Sequence, residues 1–245
     1  MSVKTLLWDI ETGPYEAYVW GMWQQNIHAD NITRDSQILS ISWKYLDEKK
    51  VHGVAVGEGH TERYVIESFL VAAENADLLV HFNGDKFDLK RLTARLMVHQ
   101  LPPLHKVNTC DPLKEIKRVA KFPSHRMDYL SKLLCGIGKH ETDMQLWRDC
   151  VAGDQKSLAR LLAYNKNDVK MLEALYLYTR PYYKNHMNMA DTGSMNCPRC
   201  NSELSRLRKV YRTKAGLERA HVHCLACSAP YTISPKGPNR PHSAV

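Results

Sequence analysis

Apolar residues along the chain follow two periods. Runs at residues 5–10, 38–46 and 51–56 read as strands, and the polar DEKK turn between the second and third makes them an antiparallel meander. From Thr61, whose hydroxyl suits a helix N-cap, TERYVIESFLVAAENA has helical spacing, and DLLVHFN after it reads as a short buried strand. KFDLKRLTARLMVHQL puts Phe87, Leu92 and Leu96 at helical intervals and is expected to stop at Pro102 and Pro103. HKVNTC has the look of a further strand. Residues 127–180 are helical in pattern, broken at Gly136, Gly138 and Gly153, with Asp154 placed to cap a long last helix that Pro181 ends.

A meander followed by alternating strands and helices predicts an α/β domain over residues 1–180, a mixed sheet flanked by helices. Residues 181–195 have no clear period and read as a linker. A small C-terminal module follows at 196–234, and 235–245 reads as a flexible tail. Between the first two strands, residues 14–37 carry Tyr15, Tyr18, Trp20 and Trp23. These aromatic side chains either stack on unpaired bases or anchor a long loop to its own domain.

Composition narrows the class. With 245 residues, 44% of them hydrophobic, the chain fills one good-sized core and a small one. It has no apolar run of eighteen residues and no basic-then-apolar leader, so a soluble cytoplasmic protein without a membrane partner is expected. Four of the seven cysteines form two C-x-x-C pairs, which suits metal-bound thiolates in a reducing compartment. Cys110, Cys135 and Cys150 read as ordinary buried thiols. Residues 196–245 hold nine Lys and Arg against two acids, so they carry +7 of the net charge of +8. A nearly neutral body with a basic appendage is the pattern of an attached phosphate-binding element.

The candidate chemistry lies in acids set at the ends of apolar runs. In LLWDIETGP, Asp9 and Glu11 share one face of a strand while Trp8 and Ile10 face the other. Two carboxylates so close oppose each other's ionisation and call for a positive charge, most simply a divalent cation. Asp88 follows the strand in HFNGDKFDLKRL and opens a helix, where α/β sheets gather their sites. Asn83 either holds the intervening turn or contacts substrate. In LLAYNKNDVKML, Tyr164 and Asp168 are four apart and share a helix face. Four carboxylates from three segments balance two dications, as a two-metal phosphoryl-transfer site requires.

These residues resemble the DEDDy exonucleases, DnaQ-like enzymes of ribonuclease H-like fold. Asp9 and Glu11 match the first motif, Asn83, Phe87 and Asp88 the second, and Tyr164 and Asp168 the third in its tyrosine form, over roughly residues 1–180. DIET is most similar to the proofreading domains of family-B DNA polymerases. The resemblance implies a 3′–5′ exonuclease releasing nucleoside 5′-monophosphates. In it Asp9, Glu11 and Asp168 hold one Mg²⁺ or Mn²⁺, Asp9 bridges to a second, Asp88 supports that ion through water, and Tyr164 orients the attacking water. Phe87 packs near the terminal nucleotide or simply in the core. The substrate is DNA, in single-stranded 3′ ends, or alternatively RNA, and a non-catalytic nucleic-acid-binding protein on the same fold is the rival from another class. No polymerase fits in the remaining residues, so a polymerase or replication protein would be a separate partner chain. The layout is similar to stand-alone exonucleases of tailed phages and their bacterial hosts, which would place it in a bacterial cytoplasm.

Cys197 and Cys200, then 23 residues, then Cys224 and Cys227 have the spacing of a closed tetrahedral Zn²⁺ site, a zinc ribbon. LSRLRKVYRT and ERAHVH between the pairs read as its strands, with His221 and His223 as alternative ligands made unnecessary by the fourth cysteine. A module this small needs its metal to fold, so chelation is expected to unfold it. Arg206, Arg208, Lys209 and Arg212 are its candidate phosphate contacts, and docking to a protein is the competing role.

Overall fold

The computed structural model describes residues 3–57, 59–138 and 141–234. The tail expected at 235–245 lies outside the described residues.

β1 (Thr5–Thr12) is apolar on both faces, and Leu6, Leu7 and Trp8 are wholly buried. Such a strand is stable in mid-sheet with both faces covered. After it the chain runs out along an arm whose base is the two-stranded β2 (Glu16–Ala17) and β3 (Ile32–Arg34). It returns as β4 (Ile38–Tyr45), antiparallel to β1, and β5 (His52–Ala55), antiparallel to β4. α1 (Glu62–Ala73) starts where Thr61 Oγ1 accepts from the Tyr64 N–H at 3.3 Å. β6 (Leu78–Val80) then runs parallel to β1, and after α2 (Asp88–Val98) β7 (Asn108–Cys110) lies parallel to β6. The five strands are ordered β5-β4-β1-β6-β7, the mixed sheet the meander predicts. α3 (Pro112–Val119), α4 (Met127–Cys135), α5 (Met144–Val151) and α6 (Gln155–Thr179) follow.

Both sheet faces are covered. On one, Leu6, Trp8 and Ile10 pack with Val65, Ile66 and Phe69 of α1 and Leu92 and Leu96 of α2, and Trp8 stacks on Phe69 at 4.6 Å between centroids. On the other, Leu7, Leu78 and Val80 meet Leu130 of α4 and Val169, Leu172 and Leu175 of α6. No helix among the described residues is long and apolar enough to cross a membrane.

Three details depart from the periodic reading. α2 stops at Val98, before the prolines, because Gln100 takes a left-handed φ of 54° and the Leu101 N–H closes on the Leu96 carbonyl at 2.9 Å. α3 was signalled by the Asp-Pro pair of CDPLKEIKRV: Asp111 Oδ1 accepts from the Leu113 N–H at 3.0 Å and Pro112 takes the first turn. Residues 181–195 are packed down, with Tyr183 and Met189 in the core beside α6, and Glu115 Oε2 accepting the N–H of Lys184 at 3.2 Å and of Asn185 at 3.0 Å. Beyond them β8 (Ser205–Arg212), β9 (Glu218–Cys224) and β10 (Pro230–Ile233) form an antiparallel sheet ordered β10-β9-β8.

Candidate active site

β6 pairs with β1 only as far as Leu7, so β1 runs on past the end of its parallel neighbour. In that step, at the carboxyl end of β6, the acids gather. Asp9 and Glu11 project from β1 toward α6, and a bulge between Glu11 and Thr12 ends the regular pairing with β4. α6 buries a stripe at Leu161, Tyr164, Asn165, Asp168, Val169 and Leu172, and its polar members fall where the stripe passes the acids of β1. Carboxylate oxygens of Asp9, Glu11 and Asp168 all lie within 4.8 Å of one another.

Asn165 holds this arrangement, and periodicity alone did not single it out. It is wholly buried and its Nδ2 donates to Asp9 Oδ2 at 2.7 Å, while Ser40 Oγ donates to its Oδ1 at 3.2 Å. The amide therefore fixes the rotamer of Asp9 from the helix side.

Asp88 stands outside the three-acid cluster but beside it. It begins α2, and a backbone hydrogen bond from Ile10, next in sequence to Asp9, reaches its carboxylate. Burial pushes this carboxyl up to about 6, against the pull of nearby His81 and of the backbone bonds. His81 is wholly buried, edge-on to Trp8, with Nε2 3.2 Å from Asp85 Oδ1. The His81 ring beside it, against burial and with further help from Lys114, holds the Asp85 carboxyl well below the usual carboxylate range. The turn carrying Asp88 closes over that ring: a Cβ on Gly84 would lie 2.4 Å from His81 Cγ, so only glycine fits. Asn83 is the left-handed residue of the turn, φ 64°, with its N–H on Asp111 Oδ1 at 2.9 Å.

Phe87 is half exposed and borders a groove of about 520 Å³ with Thr12, Tyr15, Arg91 and Trp147. Thr142 joins this groove to a second, of about 370 Å³, bordered by Tyr164 and Arg160. Trp147 meets the Tyr164 ring edge-on at 6.1 Å. Arg206, Arg208, Lys209 and Arg212 stand exposed along β8.

The donor sets fit metal ions. An octahedral Mg²⁺ at about 2.1 Å from its ligands keeps their oxygens about 3 to 4.2 Å apart, comparable with the 4.8 Å within which the three carboxylates lie. Cys197, Cys200, Cys224 and Cys227 have their Sγ atoms within 4.8 Å of one another, with Cys197 and Cys227 at 3.7 Å and Cys200 and Cys224 at 3.6 Å. Tetrahedral Zn²⁺ with Zn–S of about 2.3 Å needs sulfurs about 3.8 Å apart. The hydrogen bond from Cys227 pulls the Cys197 thiol down, and burial pushes Cys200 up. His221 is instead stacked on Tyr211 at 4.4 Å. Burial likewise raises Cys110 to about 12 and Cys150 to about 11, the inert thiols the sequence suggested.

A parallel-and-antiparallel sheet with acids at this step is the frame of the RNase H-like domains. The sequence matches RNase_H_2 of the RNase_H superfamily over residues 26–179, and the chain belongs to that superfamily. The matched span includes all of α6, while β1, with Asp9 and Glu11, precedes it. Among solved structures, the family B DNA polymerase from the hyperthermophilic archaeon Pyrobaculum calidifontis is similar, with a TM-score of 0.55 and 15% identity over 73% of this chain. The likeness is one of fold, and the chain spans 25% of that polymerase's length. No curated protein sequence matches the chain.

Proposed function

We propose that the chain is a metal-dependent 3′–5′ exonuclease that removes nucleoside 5′-monophosphates from unpaired 3′ ends of DNA. The observation that carries this reading is the meeting of Asp9, Glu11 and Asp168 within 4.8 Å, in an RNase H-superfamily sheet that folds like part of a DNA polymerase.

In this reading Asp9, Glu11 and Asp168 hold one Mg²⁺ or Mn²⁺, Asp9 also serves a second, and Asp88 supports that second ion. Ions held by these carboxylates would supply Lewis-acid activation of water and charge neutralisation for phosphodiester hydrolysis. The protein's own residues do the rest. Asn165 keeps Asp9 turned toward the cluster. Tyr164 holds the attacking water through its hydroxyl. The groove beside Phe87 seats the terminal nucleotide, and the turn at Asn83 fixes where Asp88 begins its helix. Cys197, Cys200, Cys224 and Cys227 hold one structural Zn²⁺, and Arg206, Arg208, Lys209 and Arg212 on the ribbon track the phosphate backbone.

Asp168→Ala and Tyr164→Phe test the assignment on a 3′-labelled single strand with Mn²⁺. Tyr164→Phe deletes one oxygen and is expected to slow release about 10²–10⁴-fold, the range for a group that handles a proton in the transition state. Asp168→Ala is expected to abolish release together with metal binding. Wild-type rates in both variants would refute the mechanism.

A further inference from the structure

We propose that residues 14–31 form an arm that selects single strands, with the unpaired bases of the strand entering the groove stacked on Trp20 and Trp23. This rests on the nuclease reading for its orientation, since the arm grows out of the strand that bears Asp9 and Glu11.

The tip of the arm, YVWGMWQQNI at residues 18–27, holds no charged side chain. Trp20 is 101% exposed and Trp23 81%, and Tyr18 and Met22 are similarly open. Large apolar faces left in water mark a surface that is covered in use. The arm is anchored at its base: Tyr18 N–H donates to the Asn31 carbonyl at 2.9 Å, Thr33 Oγ1 to the Glu16 carbonyl at 3.1 Å, and Arg34 to the Val151 carbonyl at the end of α5 at 3.2 Å. At the tip, Gln25 Nε2 donates to the Trp23 carbonyl at 2.9 Å.

Continuity with the acids identifies the occupant. At the arm's root Arg91 Nη1 donates to Tyr15 Oη at 2.7 Å, and the same guanidinium lies 5.1 Å from the Tyr15 ring centroid and 5.9 Å from that of Phe87. All three side chains border the groove with Thr12, the residue after Glu11. Aromatic and guanidinium planes therefore line the groove from the root of the arm to Thr12, next to Glu11. Stacking needs a free base face, which a single strand offers at every nucleotide and a duplex only at its ends. Of the arm's two acids, Glu16 is paired with Arg34 at 3.2 Å, and Asp30 lies in the short turn at Ala29–Asn31, outside the uncharged tip.

The test is binding of a labelled oligodeoxythymidine and of a blunt duplex to the full chain in EDTA, by fluorescence anisotropy over a range of salt. Trp20→Ala and Trp23→Ala are each expected to weaken single-strand binding between about 5-fold and 100-fold, and duplex binding by less than about 2-fold. The salt slope of single-strand binding should not change, because no charge is removed. Unchanged single-strand affinity in the double variant overturns the arm and leaves its tryptophans to a protein partner. Equal weakening on duplex and single strand overturns the selectivity. Hydrolysis of the same oligonucleotide by the wild type with Mg²⁺ is followed in parallel: its absence refutes the nuclease reading, while the binding data judge the arm in either case.

Discussion

Asp9 is held by a neighbour that is neither acid nor cation. A carboxylate on a central strand has few rotamers to choose from, and the amide of Asn165, itself anchored by Ser40, selects the one aimed at Glu11 and Asp168. Groups that orient metal ligands in this way are typically worth about 10–100-fold in metal affinity. Asn165→Ala is therefore expected to weaken Mn²⁺ binding by that factor in calorimetry, with the chain still folded. Wild-type affinity would show that Asp9 needs no such help. The three acids that meet, Asp9, Glu11 and Asp168, were legible because each interrupts an apolar pattern. Asn165 was not, since it sits in the polar run YNKND, although its place four residues from Leu161 and from Val169 puts it on the buried stripe. The role of Gly84 was hidden for a different reason: it depends on a histidine ring that only the closed turn brings against it.

At the scale of elements, one buried network sets how the first strands and helices meet. Glu62, in the first turn of α1, accepts the Ile38 N–H at the start of β4 at 2.7 Å, Arg95 Nε and Nη2 of α2 at 2.7 and 2.6 Å, and lies 2.7 Å from His99 Nε2. Burial would raise this carboxyl, but Arg95, the Ile38 N–H and His99 together hold it below its usual value. A carboxylate depressed in the folded state stabilises above its unfolded pKa, about 4.3, and that contribution is lost as pH falls below it. Arg95→Ala leaves the buried charge uncompensated, at a cost of about 3–5 kcal/mol near neutral pH. Without Arg95 burial dominates and Glu62 protonates more readily, so the deficit should shrink as pH is lowered toward about 4. Urea midpoints across that range check it, and a deficit that is small and independent of pH would refute it. Periodicity located most of the elements because packing against a sheet requires it. It did not locate their ends or the short pieces: α2 is ended by one left-handed residue, and β2 and β3 are held as the base of an arm by a few bonds rather than by an apolar pattern.

The whole molecule joins a nearly neutral nuclease-like body to a strongly basic cysteine module. The charge asymmetry and the cysteine spacing were legible in the sequence. How the two are joined was not, because the work falls to isolated residues: Tyr183 and Met189 enter the core, Tyr176 Oη meets His186 Nε2 at 2.7 Å, and Arg199 of the first cysteine pair donates to the Tyr183 carbonyl at 2.6 Å. The basic strand β8 is thus carried on a segment fixed to the body that bears the acids. Attack from the 3′ end is checked by following matched oligonucleotides labelled at the 3′ end or internally, as DNA and RNA, with Mg²⁺, Mn²⁺ or EDTA. The 3′-terminal label is expected to leave first, as a mononucleotide, from DNA, only with a divalent ion, and not with Asp168→Ala. Internal fragments released ahead of any 3′-terminal mononucleotide, or release that persists in EDTA, would contradict it.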